Sequence, residues 1–138
     1  MENIPLHKQF NSLGLLLEAT TLRFKEHPAV IFHHQIITYK QLDDLSNQIA
    51  NFLCKKEIEK GDGIGLYCIN SPYFVAAYFG IAKAGATVVP INLLLSAEEI
   101  QFILSDSGAK GLFYFDALEN NIKAIKDKLP AMEFMVAV

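Results

Sequence analysis

The sequence predicts an α/β fold, in which alternating strands and helices build a mostly parallel sheet covered by helices. Two features of the sequence predict it. Short apolar runs rich in β-branched residues alternate with longer segments in which apolar residues recur at helical spacing. Capping patterns precede most of the helical segments, and glycine or proline follows them. Alternation of this kind is typical of parallel sheets with helices on both faces.

Length, composition and charge limit the class of protein. The chain has 138 residues, of which 51% are hydrophobic and 20% charged, so it is expected to fold as one globular domain. Its net charge of -3 gives no electrostatic basis for nucleic-acid binding. No apolar run approaches the roughly 20 residues of a transmembrane helix, and residues 1–9 lack the apolar segment of a secretory signal. We expect a cytoplasmic protein with no nucleic-acid partner and no transmembrane segment.

A helix and a hairpin come first. Apolar residues at helical spacing between positions 13 and 24 predict a helix, which ends before Pro28 because a residue that precedes proline disfavours the α conformation. Residues 29–32 and 36–37 predict two short strands, connected through residues 33–35 as in a hairpin.

A long amphipathic helix follows the hairpin. Thr38 and Gln41 have the spacing of a capping box, in which each side chain accepts a hydrogen bond from the backbone N–H of the other residue. We expect this helix to end near Gly61. Its expected core face consists of Leu42, Leu45, Ile49, Phe52 and Leu53, and its expected solvent face of Asp43, Asp44, Asn47 and Lys55.

The middle of the sequence predicts a strand, a helix and a second strand. Residues 64–69 are apolar, and Ser71 followed by Pro72 gives an N-cap and a proline at the first helical position. That helix is expected to run to about residue 84, where Gly85 stops it. Residues 87–89 predict the next strand, which Pro90 closes.

The last third of the chain repeats this order. Residues 96–99, SAEE, form a second capping box, and the helix that follows is expected to end before Gly108. Residues 112–115 predict a strand, Asp116 is the expected N-cap of the last helix, and residues 132–138 predict a final strand. Because the chain ends within an apolar β run, we expect it to be part of a longer protein.

Three glycine-containing segments resemble phosphate-binding loops only in part. Residues 60–67, KGDGIGLY, lack the third glycine of the dinucleotide fingerprint and precede a strand, so we interpret them as a helix-to-strand corner. Residues 80–87, GIAKAGAT, carry Ala86 where the P-loop requires lysine. Residues 105–111 follow a helix, as a C-cap and turn do. All three segments are interpreted as structural.

No residue is assigned a catalytic, cofactor-binding or metal-binding role from the sequence. The four histidines have no zinc-site spacing and are expected on the surface or in turns. Asp43 and Asp44 are interpreted as a solvated helix face, and no serine lies in a nucleophile elbow. Cys54 and Cys68 fit no metal or redox spacing and are expected in the core.

Three segments carry a family resemblance. They are residues 37–42, ITYKQL; residues 61–66, GDGIGL, with residues 70–74, NSPYF; and residues 82–92, AKAGATVVPIN. In this order they resemble motifs in the N-terminal region of the adenylate-forming (AMP-binding) enzymes, which include acyl-CoA synthetases, luciferases and peptide-synthetase adenylation domains. The chain is most similar to the acyl-CoA synthetases, such as long-chain fatty acid–CoA ligases. Gly63 and Gly65 stand where the family usually has larger residues, and they are expected to loosen the strand entry by up to about 1 kcal/mol each.

The resemblance implies the N-terminal part of the adenylate-forming enzyme fold, with residues 1–11 as a tail and residues 12–138 as a subdomain of a larger ligase. In the whole enzyme, a carboxylate and ATP give an acyl-adenylate, and a thiol such as coenzyme A then displaces AMP. ATP, Mg²⁺ and coenzyme A are thus implied for the parent enzyme, with none expected bound to this piece. The family's phosphate loop and catalytic lysine have no counterpart in this chain, so the piece alone is expected to be inactive.

The resemblance also implies partners and leaves alternatives open. The implied partners are the remainder of the ligase and a carboxylic acid, with a fatty acid favoured over aromatic or amino-acid substrates. A catalytically inactive, stand-alone α/β interaction module is the alternative from a different class.

The turn from Pro90 to Asn92 is a candidate binding position, because it follows a strand end, where open α/β sheets bind ligands. Exposed sheet edges of an isolated piece also predict self-association.

Overall fold

Two separate sheets organise the protein in its computed structural model, which describes residues 11–138. A two-stranded antiparallel sheet comes first in the chain, and a four-stranded parallel sheet follows it. The expected tail of residues 1–11, the expected surface position of His7 and the segment inspected for a secretory signal lie outside the described residues, except for Asn11.

The order of the elements confirms the predicted alternation of strands and helices. The first four elements are α1 (Leu13–Phe24), β1 (Pro28–Phe32), β2 (Gln35–Thr38) and α2 (Tyr39–Lys55). The next four are β3 (Gly63–Tyr67), α3 (Pro72–Lys83), β4 (Thr87–Pro90) and α4 (Ala97–Asp106). The last three are β5 (Gly111–Tyr114), α5 (Glu119–Ile125), which lies between two 3-10 turns, and β6 (Phe134–Ala137).

The parallel sheet has the strand order β4-β3-β5-β6, with β3 and β5 at its centre. Every residue of these two central strands is buried. Ile64 and Leu66 of β3 pack in one core cluster with residues of α2 and α3, whereas Tyr67 packs in another with residues of α4 and α5. The alternation confirms that helices cover both faces of the sheet.

The hairpin of β1 and β2 contributes to a third cluster. Val30 and Ile37 are paired across the two strands and pack against Leu17, Leu42 and Ala76 from the first three helices. The turn is one residue shorter than predicted, because Gln35 already pairs with Phe32. The paired residues Ile31 and Ile36 stay 69% and 58% exposed, so the outer face of the hairpin is apolar and uncovered.

The helix starts agree with the sequence predictions at three caps. Thr38 and Gln41 form both hydrogen bonds of a capping box, and Ser96 with Glu99 forms a second one. Ser71 accepts a hydrogen bond from the N–H of Phe74. These caps depend on contacts within three residues, and for this reason the sequence predicts them well.

Two predicted helix boundaries are wrong. α2 ends at Lys55 and not near Gly61, because Glu57 adopts a left-handed conformation with φ of 57°. The N–H groups of Glu57 and Ile58 then bond to the carbonyls of Cys54 and Leu53, which forms a Schellman motif without glycine. Asp116 is likewise not an N-cap, since it is the first residue of a 3-10 turn.

Cys54 and the glycines of β3 also differ from expectation. Cys54 is exposed, because Phe52 and Leu53 occupy the core side of that turn of α2, whereas Cys68 is buried as predicted. A Cβ atom on Gly65 would lie 2.7 Å from Cδ2 of Leu104, so the glycine allows α4 to approach the strand. The residue therefore permits close packing, and the predicted loosening of the strand overlooks this contact.

Candidate functional site

The carboxyl ends of the parallel strands form the candidate functional site. Open α/β sheets bind ligands at this edge, where the segments that leave neighbouring strands separate. The segments after β3, β4 and β5 separate in this way here, and two clefts open between them. Cys68, the first residue after β3, borders both clefts.

The first cleft, called the hairpin cleft, has a volume of about 270 Å³ and lies between the hairpin and the parallel sheet. Its polar side chains are those of Gln35, Ser71 and Asp116, together with the thiol of Cys68. The walls are otherwise apolar and consist of Phe32, Ile69, Pro72, Tyr73, Phe115 and Val138. An apolar space with a few polar groups at its border is typical of small-molecule sites.

The second cleft, called the asparagine groove, contains the turn after β4. Asn70 and Asn92 supply its polar side chains, and Phe74 and Leu93 contribute apolar walls. The side-chain oxygen of Asn92 accepts a hydrogen bond of 2.9 Å from the N–H of Leu94, which shapes the turn. The Pro90 to Asn92 turn thus follows a strand end, as predicted, and its role in binding stays a prediction.

Cys68 is a neutral group between the two clefts. Its thiol donates to the carbonyl of Phe113 over 3.6 Å, and burial raises the pKa of the thiol to about 11. The thiolate, which is the nucleophilic form, is therefore scarce at neutral pH. Cys68 contributes shape and apolar contact to the site.

The near-P-loop segment does not form a phosphate site. Gly80 and Lys83 belong to α3, and a Cβ atom on Gly80 would lie 2.6 Å from Cβ of Ile49. The glycine is therefore where α2 and α3 approach each other, as the structural interpretation predicts. Lys83 follows on the same helix and is not free to bind a phosphate.

The interpretation of Asp43 and Asn47 as part of a solvent face is wrong. The ammonium of Lys83 lies 2.5 Å from a carboxylate oxygen of Asp43 and 2.6 Å from the side-chain oxygen of Asn47, with Glu18 at 3.9 Å. The side chain of Lys83 is only 5% exposed and that of Asp43 18%. Asp44 does face solvent, where it pairs with Lys40.

The other two glycine-containing segments meet at the amino ends of the strands. Lys110, from the turn after α4, lies 2.9 Å from Asp62 in the KGDGIGLY corner. The pKa of Asp62 is lowered by the hydrogen bond from Lys110 and, next in size, by the hydrogen bond from the N–H of Glu59. Both segments therefore turn the chain and join neighbouring strands, as predicted, at the edge opposite the clefts.

The remaining candidate groups do not add chemistry to the site. His27, His33 and His34 are exposed, which agrees with the predicted surface or turn positions. Within residues 11–138, no three or more His, Cys, Asp or Glu side chains come together as metal ligands would. Among the helices of this described range, none has the length and apolarity to span a bilayer.

Sequence inspection missed the hairpin's contribution to the site. Phe32 and Gln35 reach the same cleft as Cys68 and Tyr73, although more than thirty positions separate them in the chain. The sequence of the hairpin contains no motif that signals this contact, since it depends on how the two sheets pack.

Two lysines of the glycine-containing segments are not available to the phosphates of ATP. Lys83 is paired with Asp43, Lys110 is paired with Asp62, and the helix starts at Ser71 and Ser96 are capped by their own side chains. The arrangement provides two clefts and a frame held by the two ion pairs.

Comparison with known proteins gives a consistent family assignment. The family model described as AMP-binding enzyme matches residues 17–137. The long-chain-fatty-acid–CoA ligase FadD13 of Mycobacterium tuberculosis is 46% identical over 78 residues, which are 56% of this chain and 16% of that protein. The fatty acid–[acyl-carrier-protein] ligase ScoC of Streptomyces coeruleorubidus is 36% identical and aligns with 75% of this chain and 19% of that protein. Bacitracin synthase 3 of Bacillus licheniformis is 35% identical, over 72% of this chain and 2% of that protein.

Solved structures share the fold. The N-terminal domain of FACL13 from Mycobacterium tuberculosis superposes with a TM-score of 0.88 at 31% identity, over 94% of this chain and 34% of that one. The anthranilate CoA ligase AuaEII superposes with a TM-score of 0.89 at 29% identity, over 98% of this chain and 26% of that one. The chain thus spans a small part of the relatives it matches, and its fold is that of the N-terminal region of adenylate-forming enzymes. By its sequence and its fold, the chain belongs to the AMP-binding enzyme family.

Proposed function

We propose that this chain is the N-terminal part of an ATP-dependent acyl-CoA synthetase. In the whole enzyme, a carboxylate would attack ATP to give an acyl-adenylate and pyrophosphate, and the thiol of coenzyme A would then displace AMP to give the thioester. The similarity to a long-chain-fatty-acid–CoA ligase carries this proposal, because FadD13 shares the highest identity among the relatives named above.

In this proposal the chain supplies a scaffold and part of the surface around the active site. Residues 12–138 form the N-terminal subdomain, and residues 1–11 form a tail that precedes it. ATP, Mg²⁺ and coenzyme A serve the whole enzyme, and the residues that hold the phosphates lie outside this chain. The paired state of Lys83 and Lys110 supports that division, since neither ammonium is available for a phosphate. The 138-residue chain alone is then inactive.

A fatty acid is the proposed substrate, and coenzyme A the proposed acceptor. Two relatives support different chemistry. The name of ScoC specifies an acyl-carrier protein as the acceptor. The name of bacitracin synthase 3 specifies the synthesis of bacitracin and not of an acyl-CoA. An adenylation domain for aromatic or amino-acid substrates is therefore the second candidate, and an inactive interaction module is the third.

The full translation product of the gene, assayed for carboxylate-dependent exchange of pyrophosphate into ATP, tests the proposal. We expect exchange with fatty acids, thioester formation when coenzyme A is added, and no exchange by the 138-residue chain. Exchange with amino acids or benzoates alone would assign the protein to the second candidate. A product without exchange for any carboxylate would favour the interaction module. Cell fractionation tests the cytoplasmic location, which stays a prediction.

A further inference from the structure

A groove along α4 combines apolar and acidic side chains. This α4 groove has a volume of about 350 Å³ and is lined by Leu95, Glu98, Glu99, Phe102 and Ile103. Phe102 is 69% exposed, although Ile100 and Leu104 of the same helix are buried. An exposed apolar patch with polar residues at its rim is typical of an interaction surface.

The charge around the α4 groove has one sign. Residues 84–109, which contain α4 and the turn before it, include three carboxylates and no Lys, Arg or His. They therefore carry the whole net charge of -3, and the rest of the chain is neutral overall. Glu98 lies four positions before Phe102 and Asp106 four positions after it, so all three share one side of the helix. This side presents an aromatic ring between two carboxylates.

Helix capping explains one of the two glutamates in the groove. The carboxylate of Glu99 accepts a hydrogen bond of 2.8 Å from the N–H of Ser96, and this bond is the main reason why the pKa of Glu99 is lowered. Glu98 is exposed, and within residues 11–138 no ion pair includes it. The charge of Glu98 can therefore pair with a cation that a partner supplies.

The negative charge of the groove distinguishes between possible partners. Nucleic acids and anionic lipids carry phosphates, which these carboxylates repel. A second copy that docked groove to groove would place Glu98 and Glu99 opposite the same carboxylates. A surface with Lys or Arg around apolar side chains complements the groove in both charge and polarity.

The backbone of α4 indicates the form of such a partner. The interior N–H and C=O groups of α4 bond within the helix, so the groove offers side chains and no free backbone for strand pairing. An amphipathic helix satisfies its own backbone in the same way and presents its apolar residues along one face. Its apolar face would contact Phe102, and its cations would lie near Glu98.

The composition of the groove favours a separate protein over another part of the same polypeptide. Permanent contacts seldom bury carboxylates, because the desolvation of a charge is costly. An aromatic centre with a charged, solvated rim is typical of interfaces between proteins that also exist apart.

We propose that the α4 groove is a docking site for a Lys- or Arg-bearing amphipathic helix of a separate protein. This interaction goes beyond the proposed function and does not depend on it.

Two synthetic helical peptides, each roughly four turns long, test the proposal by fluorescence anisotropy. Both have leucines on one face, and the other face carries lysines in the first peptide and glutamates in the second. The gene's full translation product should bind the lysine peptide, with an affinity that falls as salt is added, and should not bind the glutamate peptide. No binding of the lysine peptide, or equal binding of the two, overturns the proposal.

A matched pair of substitutions locates the binding. Phe102 on α4 and Leu22 on α1 are both large, exposed apolar residues, at 69% and 88%. Phe102→Ser should weaken binding of the lysine peptide at least about tenfold, and Glu98→Gln about threefold. Leu22→Ser should leave it unchanged. Equal affinity of Phe102→Ser and the unsubstituted protein overturns the proposal.

Thiol labelling shows whether the groove is open in the full product. In the Phe102→Cys variant, a water-soluble maleimide should label position 102 much faster than Cys68, which is buried. Labelling as slow as that of Cys68 would mean that the rest of the polypeptide covers the groove, and it overturns the proposal. Self-association that Phe102→Ser abolishes would assign the groove to a second copy and overturns it too.

The binding assay contains no carboxylate substrate or ATP, so its result is separate from the proposed function. Binding by a full product without pyrophosphate exchange keeps the docking site and refutes the ligase activity. An active ligase that does not bind the lysine peptide keeps the activity and refutes the docking site.

Discussion

The two ends of the parallel sheet are built differently, although the same four strands form both. At the amino end, Asp62 and Lys110 pair at 2.9 Å, and the N–H of Gly61 bonds to the carbonyl of Gly85 at 2.9 Å. At the carboxyl end, the chain leaves two clefts, and Tyr73 and Leu94 at their borders are 58% and 92% exposed. The amino end is closed by contacts within this chain, whereas the carboxyl end presents unfilled surface.

This difference predicts where substitutions should affect stability and where they should affect binding. The turns at the amino end join neighbouring strands directly, so substitutions there should change the free energy of unfolding. The clefts at the carboxyl end contribute less to stability and can vary with the ligand, as in other α/β proteins. If this division holds, substitutions at the amino end will change the free energy of unfolding, and substitutions at the carboxyl end will change ligand binding.

Lys83→Met tests the amino end, since Lys83 lies just before the turn that leads into β4. The substitution should lower the free energy of unfolding by about 3 kcal/mol, because it leaves the largely buried carboxylate of Asp43 without its cation. Urea unfolding measures the change. Lys123→Met removes an ion pair of similar length from the surface of α5 and should have no measurable effect. Equal effects of the two substitutions would refute the distinction.

Glu57→Gly should strengthen the turn between α2 and β3. Glu57 has a φ of 57°, a conformation that glycine adopts without steric cost, so the variant should gain about 1 kcal/mol. Lys55→Gly, two residues earlier and within the helix, should lose about 1 kcal/mol. Thermal unfolding should therefore show a higher melting temperature for Glu57→Gly and a lower one for Lys55→Gly. A loss of stability in Glu57→Gly would contradict the description of this turn.

Ser71→Ala tests the carboxyl end against a matched cap elsewhere. Ser71 caps α3 at the hairpin cleft, and Thr38 caps α2 away from it, so each alanine variant should lose about 1 kcal/mol. If the hairpin cleft forms part of the carboxylate site, only Ser71→Ala should raise the KM for the carboxylate in the full translation product. A similar change in KM for Thr38→Ala would show that the effect comes from stability and not from the cleft.

The pH dependence of stability provides the smallest expected effect. The pKa of Asp62 is below its ordinary 3.8, and the pKa of Lys110 is raised above its ordinary 10.5 by the hydrogen bond to Asp62. The pair therefore stabilises the fold fully between these values, loses its contribution as pH falls below 3.8, and loses it again as pH rises above 10.5. Asp62→Asn should flatten the acid limb of a plot of melting temperature against pH. An unchanged acid limb would contradict this role for the pair.

Local features of the fold were predictable from the sequence, and contacts between distant segments were not. The caps at Thr38, Ser71 and Ser96 follow from residues within three positions of each other, and all three are confirmed. The pairing of Lys83 with Asp43 joins residues 40 positions apart. Helical periodicity places Asp43 about 100° around the helix from Leu42, at the border of the apolar face, and it cannot show that α3 covers that border.

The candidate site also has one part that the sequence predicts and one part that it does not. The Pro90 to Asn92 turn was predictable, because proline and asparagine mark the end of a strand. The hairpin cleft was not, since it depends on how two separate sheets pack. Glycine at position 61 also suggested the wrong helix end, because Glu57 takes the left-handed conformation that glycine usually occupies.

The strand order has a consequence for how the chain folds during synthesis. Of the four strands of the parallel sheet, β3 emerges from the ribosome first, and β4 and β5 each pair with it. β6 then pairs with β5, so within this sheet every later strand finds a partner that has already been made. We therefore expect the sheet to grow outward from β3 as translation proceeds, with no described strand of the sheet waiting for a later one.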